Sequence, residues 1–260
     1  VQSLGLPPTA IQTTFTNNNQ FALVTTNFRN NNAFPVTISG FESISQTPES
    51  DFIICGTSQD ADSTNGFYAN LLKIDQFGNM IWIKYLGFPG FSAAHNVIAT
   101  NSGYVVAGEF VINNNFRSYI LKTDTVGNAI WCYKYELAPN IGVRSKITQC
   151  SSGGFYFSEN ISDSTYVWNS MLLRVDDSGI PIWAKSFDGK PGTGIYGIFG
   201  TSDGGCLLAG ETSDTLNDYP MVFSINQDLI VIKTDSSGFV NCHQNPLSIT
   251  YDPLSVIEVS

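Results

Sequence analysis

Acidic side chains and histidines are the groups in this sequence that could carry out catalysis, and they are sparse. The 260 residues include 22 acidic residues and two histidines, His95 and His243. Glycoside hydrolysis needs two facing carboxyl groups, and the sequence offers Glu109, Glu159 and Glu211, each after a similar apolar segment. Because these glutamates recur, we assign them a structural role. His95 lies in the segment AAHNVI, and we expect it to be a hydrogen-bonded structural residue.

Motifs for metal, nucleotide or nucleophile chemistry are also missing from the sequence. It contains no GxSxG, HExxH or P-loop pattern. The segment DADSTNG, residues 60–66, resembles a calcium-binding loop because Asp60, Asp62 and Thr64 alternate with other residues. It lacks the glycine at the sixth position and the glutamate at the twelfth position of such loops. We therefore predict that the protein is not an enzyme and binds no metal ion or cofactor.

The composition indicates a folded β protein with an uncharged polar surface. Hydrophobic residues make up 42% of the chain and charged residues 13%, and the formal net charge is −10. This negative charge argues against binding to nucleic acid or to an anionic membrane. No segment approaches the roughly 18 consecutive apolar residues of a membrane-spanning helix. Low charge combined with many Asn, Ser and Thr residues is typical of secreted β proteins.

The cysteines give no sign of a metal site or a redox motif. They are Cys55, Cys132, Cys150, Cys206 and Cys242. They form no CxxC pair and stand in apolar contexts such as FIICG and GGCLLAG, so we expect buried thiols that pack as small hydrophobic side chains. One disulfide with an odd thiol left over is the alternative, because spacing alone does not exclude it.

A hairpin signature that returns at intervals of about 50 residues provides the elements that would position these side chains, and this interval is typical of propellers and solenoids. Its copies begin at Asp75, Asp124, Asp176 and Asp235. A glycine follows three residues after each aspartate, and in the first three copies a tryptophan follows four residues after the glycine. In such a D-x-x-G turn the carboxylate accepts backbone N–H groups, and the glycine takes the left-handed conformation.

Counting back through this turn predicts which residues face each other across the hairpin. The expected pairs are Leu72 with Trp82, Leu121 with Trp131, Leu173 with Trp183, and Ile232 with Cys242. Pairs of this kind lie on one face of a sheet and can pack against a neighbouring sheet. We therefore predict that the tryptophans belong to the core rather than to a binding platform.

A second hairpin precedes each signature, as in NVIATNSGYVVAGEF, so each repeat contains four short strands. Such a unit is typical of one blade of a β-propeller, and no segment has the 3.6-residue periodicity of an amphipathic helix. We predict an all-β fold, a β-propeller of four-stranded antiparallel blades, with repeats at about 41–90, 91–139, 140–192 and 193–245.

A fainter copy precedes the first full repeat. The segment LVTTNFRNNNAFPVT aligns with the signature and places Asn27 at the aspartate position. We predict an N-terminal flank over 1–20 and a single propeller domain over 21–260 with five blades. In this prediction the half-blade 21–40 is completed by C-terminal strands within 246–260, since closure would remove exposed sheet edges. The alternative is that both ends are flanks of a longer multidomain chain.

TNSGYVVAG at 100–108 and TSDGGCLLAG at 201–210 share the pattern of the first hairpin, and LKTDTVGNAIW at 121–131 carries the pattern of the second. Together they resemble propeller repeats of secreted and cell-surface proteins of Bacteroidota-type bacteria, which are often cargo of the type IX secretion system. The resemblance implies an extracellular or cell-surface protein, usually without known activity. It also implies a glycoprotein with O-glycosylation at Asp-(Ser/Thr) triplets, and the candidate acceptors in predicted loops are Ser63, Ser164 and Thr215.

Binding is predicted on the rim formed by the connections between second and third strands, because these connections vary in length while the tight hairpins do not. The candidate partner-binding residues there are Tyr166, Tyr219, Asp60 and Asp62. We expect a structural or protein-interaction module of a larger secreted protein or filament, whose partner is a protein, another copy held through this rim or the termini, or a glycan. The alternative function is that of a carbohydrate-active propeller, either lectin-like or a glycoside hydrolase. Neither hypothesis involves nucleic acid or membrane insertion.

Overall fold

The structure is a computed structural model, and its strands form antiparallel sheets that follow the repeats. It describes residues 2–3, 9–15, 22–28, 36–60, 66–88, 90–112, 115–136, 143–162, 168–187, 192–213, 227–241 and 244–259. Within these ranges the chain contains strands and turns but no helix. In particular, no helix of the described residues is long and apolar enough to cross a membrane.

Four sheets, here named I to IV, are arranged as the blades of a four-bladed β-propeller. Sheet I contains β4 (Val36–Gln46), β5 (Phe52–Asp60), β6 (Phe67–Ile74) and β7 (Met80–Gly87). Sheet II contains β8 (Ser92–Thr100), β9 (Gly103–Ile112), β10 (Asn115–Thr123) and β11 (Ala129–Glu136). Sheet III contains β12 (Val143–Gln149), β13 (Phe155–Ser162), β14 (Trp168–Val175) and β15 (Pro181–Phe187). Sheet IV contains β16 (Gly194–Gly200), β17 (Cys206–Ser213) and β18 (Gln227–Thr234). The predicted all-β propeller of antiparallel blades is confirmed.

A separate N-terminal sheet precedes sheet I. It contains β1 (Gln2–Ser3), β2 (Thr9–Phe15) and β3 (Ala22–Phe28), paired in the order β1-β2-β3. The same order of three strands is found in sheet IV. The N-terminal strands therefore begin before the predicted boundary at residue 21.

The C-terminal strands lie where the sequence did not lead us to expect them. They are β19 (Asn245–Pro246), β20 (Thr250–Pro253) and β21 (Ile257–Val259). They add one strand each to the outer edges of sheets III, II and I, in that order, by pairing with β15, β11 and β7. The expected completion of the half-blade 21–40 by 246–260 is thus not found, because these strands satisfy the unpaired backbone groups of other sheet edges.

Each turn aspartate organises its hairpin as expected. Asp75 Oδ1 accepts the N–H groups of Phe77 and Asn79 at 2.9 and 2.8 Å, and Gly78 has a φ of 87°. The same pair of hydrogen bonds forms at Asp124, Asp176 and Asp235. The D-x-x-G signature is therefore a turn whose side-chain contacts are local.

The predicted register of the hairpins is wrong by one residue. Trp82 faces Lys73, whereas Leu72 faces Ile83. A bulge next to the turn causes the shift, because the pairing steps from Ile74 with Met80 to Lys73 with Trp82 and leaves one residue unpaired. The same shift places Trp131 opposite Lys122 and Trp183 opposite Arg174, while Cys242 lies outside the described residues.

The tryptophans nevertheless pack between sheets as predicted. A Cβ atom built on Gly127, in the turn of sheet II, would lie 2.9 Å from the ring of Trp82 in sheet I. The corresponding distances are 2.7 Å from Gly179 to Trp131 and 2.5 Å from Gly238 to Trp183. Each indole therefore covers the turn glycine of the following sheet.

Apolar clusters fill the spaces between neighbouring sheets. One cluster joins sheets I and II through side chains such as Leu71 and Val106, and a second joins sheets II and III through Ile120 and Phe157. A third cluster lies between sheets III and IV. Because burial of apolar side chains removes them from water, these clusters stabilise the packing of neighbouring sheets without using the residues of the two rims.

Candidate functional site

Most of the residues predicted to bind a partner lie outside the described residues. They are Asp62, Tyr166 and Tyr219, and the same holds for the expected glycosylation sites Ser63, Ser164 and Thr215. Asp60 is the last residue of β5. Their assignment to the rim of the second-to-third connections therefore stays a prediction.

Phe67 and Phe116, each eight residues before a turn aspartate, pack against a further aromatic ring. The ring centroids of Phe67 and Phe91 are 5.3 Å apart, and those of Phe91 and Phe116 are 6.1 Å apart. Since ring pairs at these separations stabilise one another, their recurrence is explained by packing.

A basic residue stands two positions before every turn aspartate, and we call these four residues the turn cations. They are Lys73, Lys122, Arg174 and Lys233. In sheet I, Lys73 pairs with Asp51 at 3.4 Å. In sheet IV, Lys233 pairs with Asp203 at 2.7 Å. Arg174 in sheet III donates to the backbone carbonyl groups of Gly153, Phe155 and Val175.

Lys122 in sheet II is the turn cation that has neither a carboxylate nor a carbonyl group as a hydrogen-bond partner among the described residues. It is 8% exposed, its Nζ donates to Thr100 Oγ1 at 3.2 Å, and it lies 5.4 Å from the ring centroid of Phe155. Among the residues that the structure describes, no carboxylate forms an ion pair with it. A nearly buried lysine side chain without an ion pair is costly.

The first hairpin of sheet II explains this difference. It joins the paired residues Ala99 and Tyr104, whereas the corresponding pair in sheet I, Gln46 and Phe52, lies one residue farther apart in the chain. The shorter hairpin contains no acidic residue. Its Ser102 stands two residues after the hairpin threonine, where sheet IV has Asp203.

A pocket of about 370 Å³ lies beside Lys122, between the first hairpins of sheets I, II and III. Its lining includes Gln46, Thr47, Thr100, Lys122, Phe155 and Asp177. The pocket therefore presents the ammonium group of Lys122 among polar side chains, which suits an anionic oxygen ligand.

Burial and a carboxylate in the lining of the same pocket set the protonation of Lys122. Burial lowers the pKa of Lys122, and the negative charge of Asp177 opposes this shift. Asp177 Oδ1 itself accepts the N–H of Gly154 at 2.7 Å. An anion in the pocket would favour the charged form of the lysine and raise its pKa.

This pocket is on the rim of the tight hairpins, opposite the rim on which binding was predicted. Lys122 and Thr100 were not predicted as site residues. A signal was present, because TNSG has Ser102 two residues after its threonine, where TSDGG has Asp203. The acidic residue that pairs with the turn cation of sheet IV is therefore absent from this hairpin.

A second polar group is buried between the sheets. His95 Nδ1 lies 2.7 Å from Glu42 Oε2, and His95 Nε2 lies 3.4 Å from Glu109 Oε1. Burial alone would lower the pKa of His95, but its hydrogen bonds to the glutamates and their negative charges raise it to about 9. The expectation of a hydrogen-bonded histidine agrees with this geometry, while His243 lies outside the described residues.

Glu159 belongs to the same buried group but breaks the repeat. It faces Met171, five residues before its turn aspartate, and in sheet II the corresponding position opposite Tyr119 is Gly108. The apparent recurrence of Glu109, Glu159 and Glu211 is therefore wrong for Glu159, which takes the place of a glycine. Burial raises the pKa of Glu159 to about 8, with a further contribution from Glu109, while a hydrogen bond from Ser118 opposes the shift.

The described cysteines are free thiols. Cys55, Cys132, Cys150 and Cys206 are all buried and unpaired with one another, as predicted for thiols that pack in the core. Cys242 lies outside the described residues.

The chain matches no protein-family profile, and no curated protein matches it at a significant level. Its function is therefore argued from its own residues.

Proposed function

We propose that the protein is a non-catalytic, extracellular or cell-surface interaction module that binds a protein partner through the rim of its second-to-third connections. The observation that carries the proposal is the contrast between the two rims. On one rim, the paired residues that flank the connections are Gln59 and Phe67, Ile112 and Asn115, Ser162 and Trp168, and Ser213 and Gln227. These connections differ widely in length on similar sheets, as is common for binding loops.

The opposite rim is nearly uniform, which supports the assignment. All four turn aspartates accept the same two backbone N–H groups, and all four turn glycines have φ between 74° and 87°. A scaffold that repeats at one rim and varies at the other is suited to present different loops without changing its core.

The buried carboxyl groups support a role without catalysis. Glu109 is 7% exposed and Glu159 is 3% exposed, and both lie among packed strands. A glycosidase needs carboxyl groups that reach the sugar from both sides. These two glutamates are closed off from a polymeric substrate in the arrangement described.

The proposal includes a ring of five sheets, in which the N-terminal sheet is the fifth. The outer face of sheet IV exposes Phe199 and Val231, and the outer face of sheet I exposes Phe41 and Ile44. In sheets II and III the corresponding positions contribute to the buried clusters. An example is Ile120 in sheet II, which like Val231 stands four residues before its turn aspartate. The three N-terminal strands have the strand order of sheet IV and directly precede sheet I, so they are placed in the chain to cover both faces.

The extracellular location and the O-glycosylation of Ser63, Ser164 and Thr215 rest on the resemblance of the repeats to exported propellers. Mass spectrometry of the protein secreted from a Bacteroidota-type host tests both together. We expect glycan mass on peptides that contain these residues. Retention of the protein in the cytoplasm without modification would contradict this part of the proposal.

Site-specific photocrosslinking tests the binding rim. A benzophenone amino acid is placed at Tyr219 or Tyr166, and for comparison at Phe77, an 80% exposed aromatic residue on the opposite rim. We expect discrete protein adducts on the surface of the producing cells from positions 219 and 166, and none from position 77. Adducts from position 77 alone would place the partner on the rim of the tight hairpins and would contradict the proposal. Binding to a glycan array without protein adducts would favour the carbohydrate-binding alternative, and adducts between two copies would show self-assembly.

A further inference from the structure

The other three turn cations show which partners a basic residue at this position has in the neighbouring sheets. Lys73 and Lys233 each have a carboxylate within 4 Å, and Arg174 has several backbone carbonyl groups. Lys122 has one hydroxyl acceptor, Thr100 Oγ1, among the described residues. At this position three sheets have a cation with carboxylate or carbonyl partners, whereas sheet II has a cation with a hydroxyl partner alone.

The pocket is located at this one exception. Its volume of about 370 Å³ falls within the range of about 300–1,000 Å³ of small-molecule sites. The amide side chains of Gln46 and Gln149 also line it. A lysine that lacks the carboxylate of its equivalents, beside a pocket with further polar side chains, therefore points to an anionic oxygen ligand at this place.

We propose that this pocket binds a small organic monocarboxylate, with the carboxylate held by Lys122. The ammonium group has N–H groups beyond the one that Thr100 accepts, and a carboxylate can accept them. The ligand takes the part that Asp51 and Asp203 play toward the turn cations of sheets I and IV.

The lining also indicates the rest of the ligand. Asp177 lines the pocket and would repel a doubly charged anion, which favours a monocarboxylate over phosphate. The amide side chains of Gln46 and Gln149 can hydrogen-bond to hydroxyl or amino groups, and Phe155 offers an apolar face. Sugar acids and amino acids share this chemistry, and the test separates them.

The first experiment is a titration followed by calorimetry and by NMR of lysine side chains labelled with ¹³C. The probes are glucuronate, alanine, inorganic phosphate and glucose, the last as a neutral analogue of glucuronate. We expect glucuronate or alanine to bind and to shift the Lys122 signal, whereas glucose does not. Binding of glucuronate alone identifies a sugar acid, and binding of alanine alone identifies an amino acid. Binding of phosphate without either carboxylate, or of none of the probes at millimolar concentration, overturns the proposal.

Two variants and one matched control locate the site. Lys122→Met removes the charge but keeps the apolar stem, and we expect carboxylate affinity to fall by at least about tenfold, equivalent to about 1.4 kcal/mol. Lys73→Met removes the equivalent cation outside the pocket and should leave the affinity unchanged. Equal binding by Lys122→Met and the wild type would refute the site.

Ser102→Asp keeps the test decisive if Lys122→Met does not fold. This substitution supplies an internal carboxylate at the place that Asp203 has in sheet IV, where it contacts both Thr201 and Lys233. We expect a folded protein that no longer binds carboxylates, because its own side chain occupies Lys122. Undiminished carboxylate binding by a folded Ser102→Asp protein would contradict the proposal.

Discussion

Three of the four sheets have a glycine where sheet III has Glu159. At Gly56, Gly108 and Gly210 a Cβ atom would lie within 2.1 Å of a carbonyl oxygen of the first strand. In sheet III the bulge of β12 is wider, since the pairing steps from Val143 with Asn160 to Lys146 with Ser158 and leaves Glu159 unpaired. A side chain therefore fits there, and it is a carboxyl group.

Glu159→Gln should change how stability depends on pH. In the unfolded chain Glu159 has the ordinary glutamate pKa of 4.5, whereas in the folded protein its pKa is about 8. As the pH rises, the unfolded chain therefore loses this proton at a lower pH than the folded protein does. The stabilising contribution of the bound proton is complete below pH 4.5 and is lost as the pH rises to 8. The glutamine stays neutral, so the variant should gain stability relative to the wild type over this window, by on the order of 1 kcal/mol or more.

Urea unfolding at a series of pH values measures this gain. Glu136→Gln, at an exposed position, serves as the control and should follow the wild type. A Glu159→Gln profile parallel to that of the wild type would show that Glu159 is ionised in the folded protein at neutral pH.

Gly179→Ala should cost more stability than Gly204→Ala. Both glycines have nearly the same φ, 80° and 81°, so both substitutions incur a similar backbone cost of about 1 kcal/mol. The new methyl group at 179 would lie 2.7 Å from the Trp131 ring, whereas the nearest atom to a Cβ at 204 is 3.4 Å away. Thermal unfolding should show a larger loss for Gly179→Ala, and equal losses would mean that the indole does not pack tightly on the turn.

At the scale of single elements, the tail strands make a graded prediction. Truncation after Val256 removes β21, which pairs with β7, and leaves β20 and β19 on β11 and β15. Because an uncovered edge exposes its backbone groups to water, we expect faster amide hydrogen exchange in β7 and unchanged exchange in β11 and β15. Truncation after residue 244 should extend the effect to all three strands. Uniform exchange in both truncated proteins would show that the tail does not cover these edges.

The hairpins could be predicted from the sequence, but their exact register and the tail could not. Asp75 and Gly78 define the turn by local chemistry, which the sequence carries directly. The bulge beside Trp82 depends on how the strands twist, and it moves the pairing by one residue. The tail strands have no repeat signature, and the edges of β7, β11 and β15 are all available to them, so pairing was decided by tertiary geometry.

At the scale of the whole molecule, the repeat interval and strand count predict a propeller, but they leave the closure of the ring open. The exposed faces at Val231 and Ile44 follow the same apolar pattern as the buried ones. This apolar pattern indicates that each face packs against another sheet, but it does not indicate which strands form that sheet. The pocket beside Lys122 was not predicted for a related reason, since its lining comes together only where the first hairpins of three sheets meet.

Val231→Asp tests closure by the N-terminal sheet. Val231 is 67% exposed, similar to Ile182 at 58% on an outer strand. If the N-terminal sheet covers sheet IV, a buried unpaired charge should cost about 2 kcal/mol or more, while Ile182→Asp should cost about 0.5 kcal/mol or less. Chemical denaturation of both variants measures the difference. Equal, small costs would mean that this face remains in contact with water.

The tail joins the three sheets in the reverse of their order in the chain, with β21 on the first sheet, β20 on the second and β19 on the third. A pulling force applied at the C-terminus would therefore act on β21 first. It would detach the short strands one after another before it reached any strand inside a sheet. The short tail strands would detach in small early steps before the four sheets unfold. In a protein held at this end, the tail would therefore limit the force that reaches the sheets.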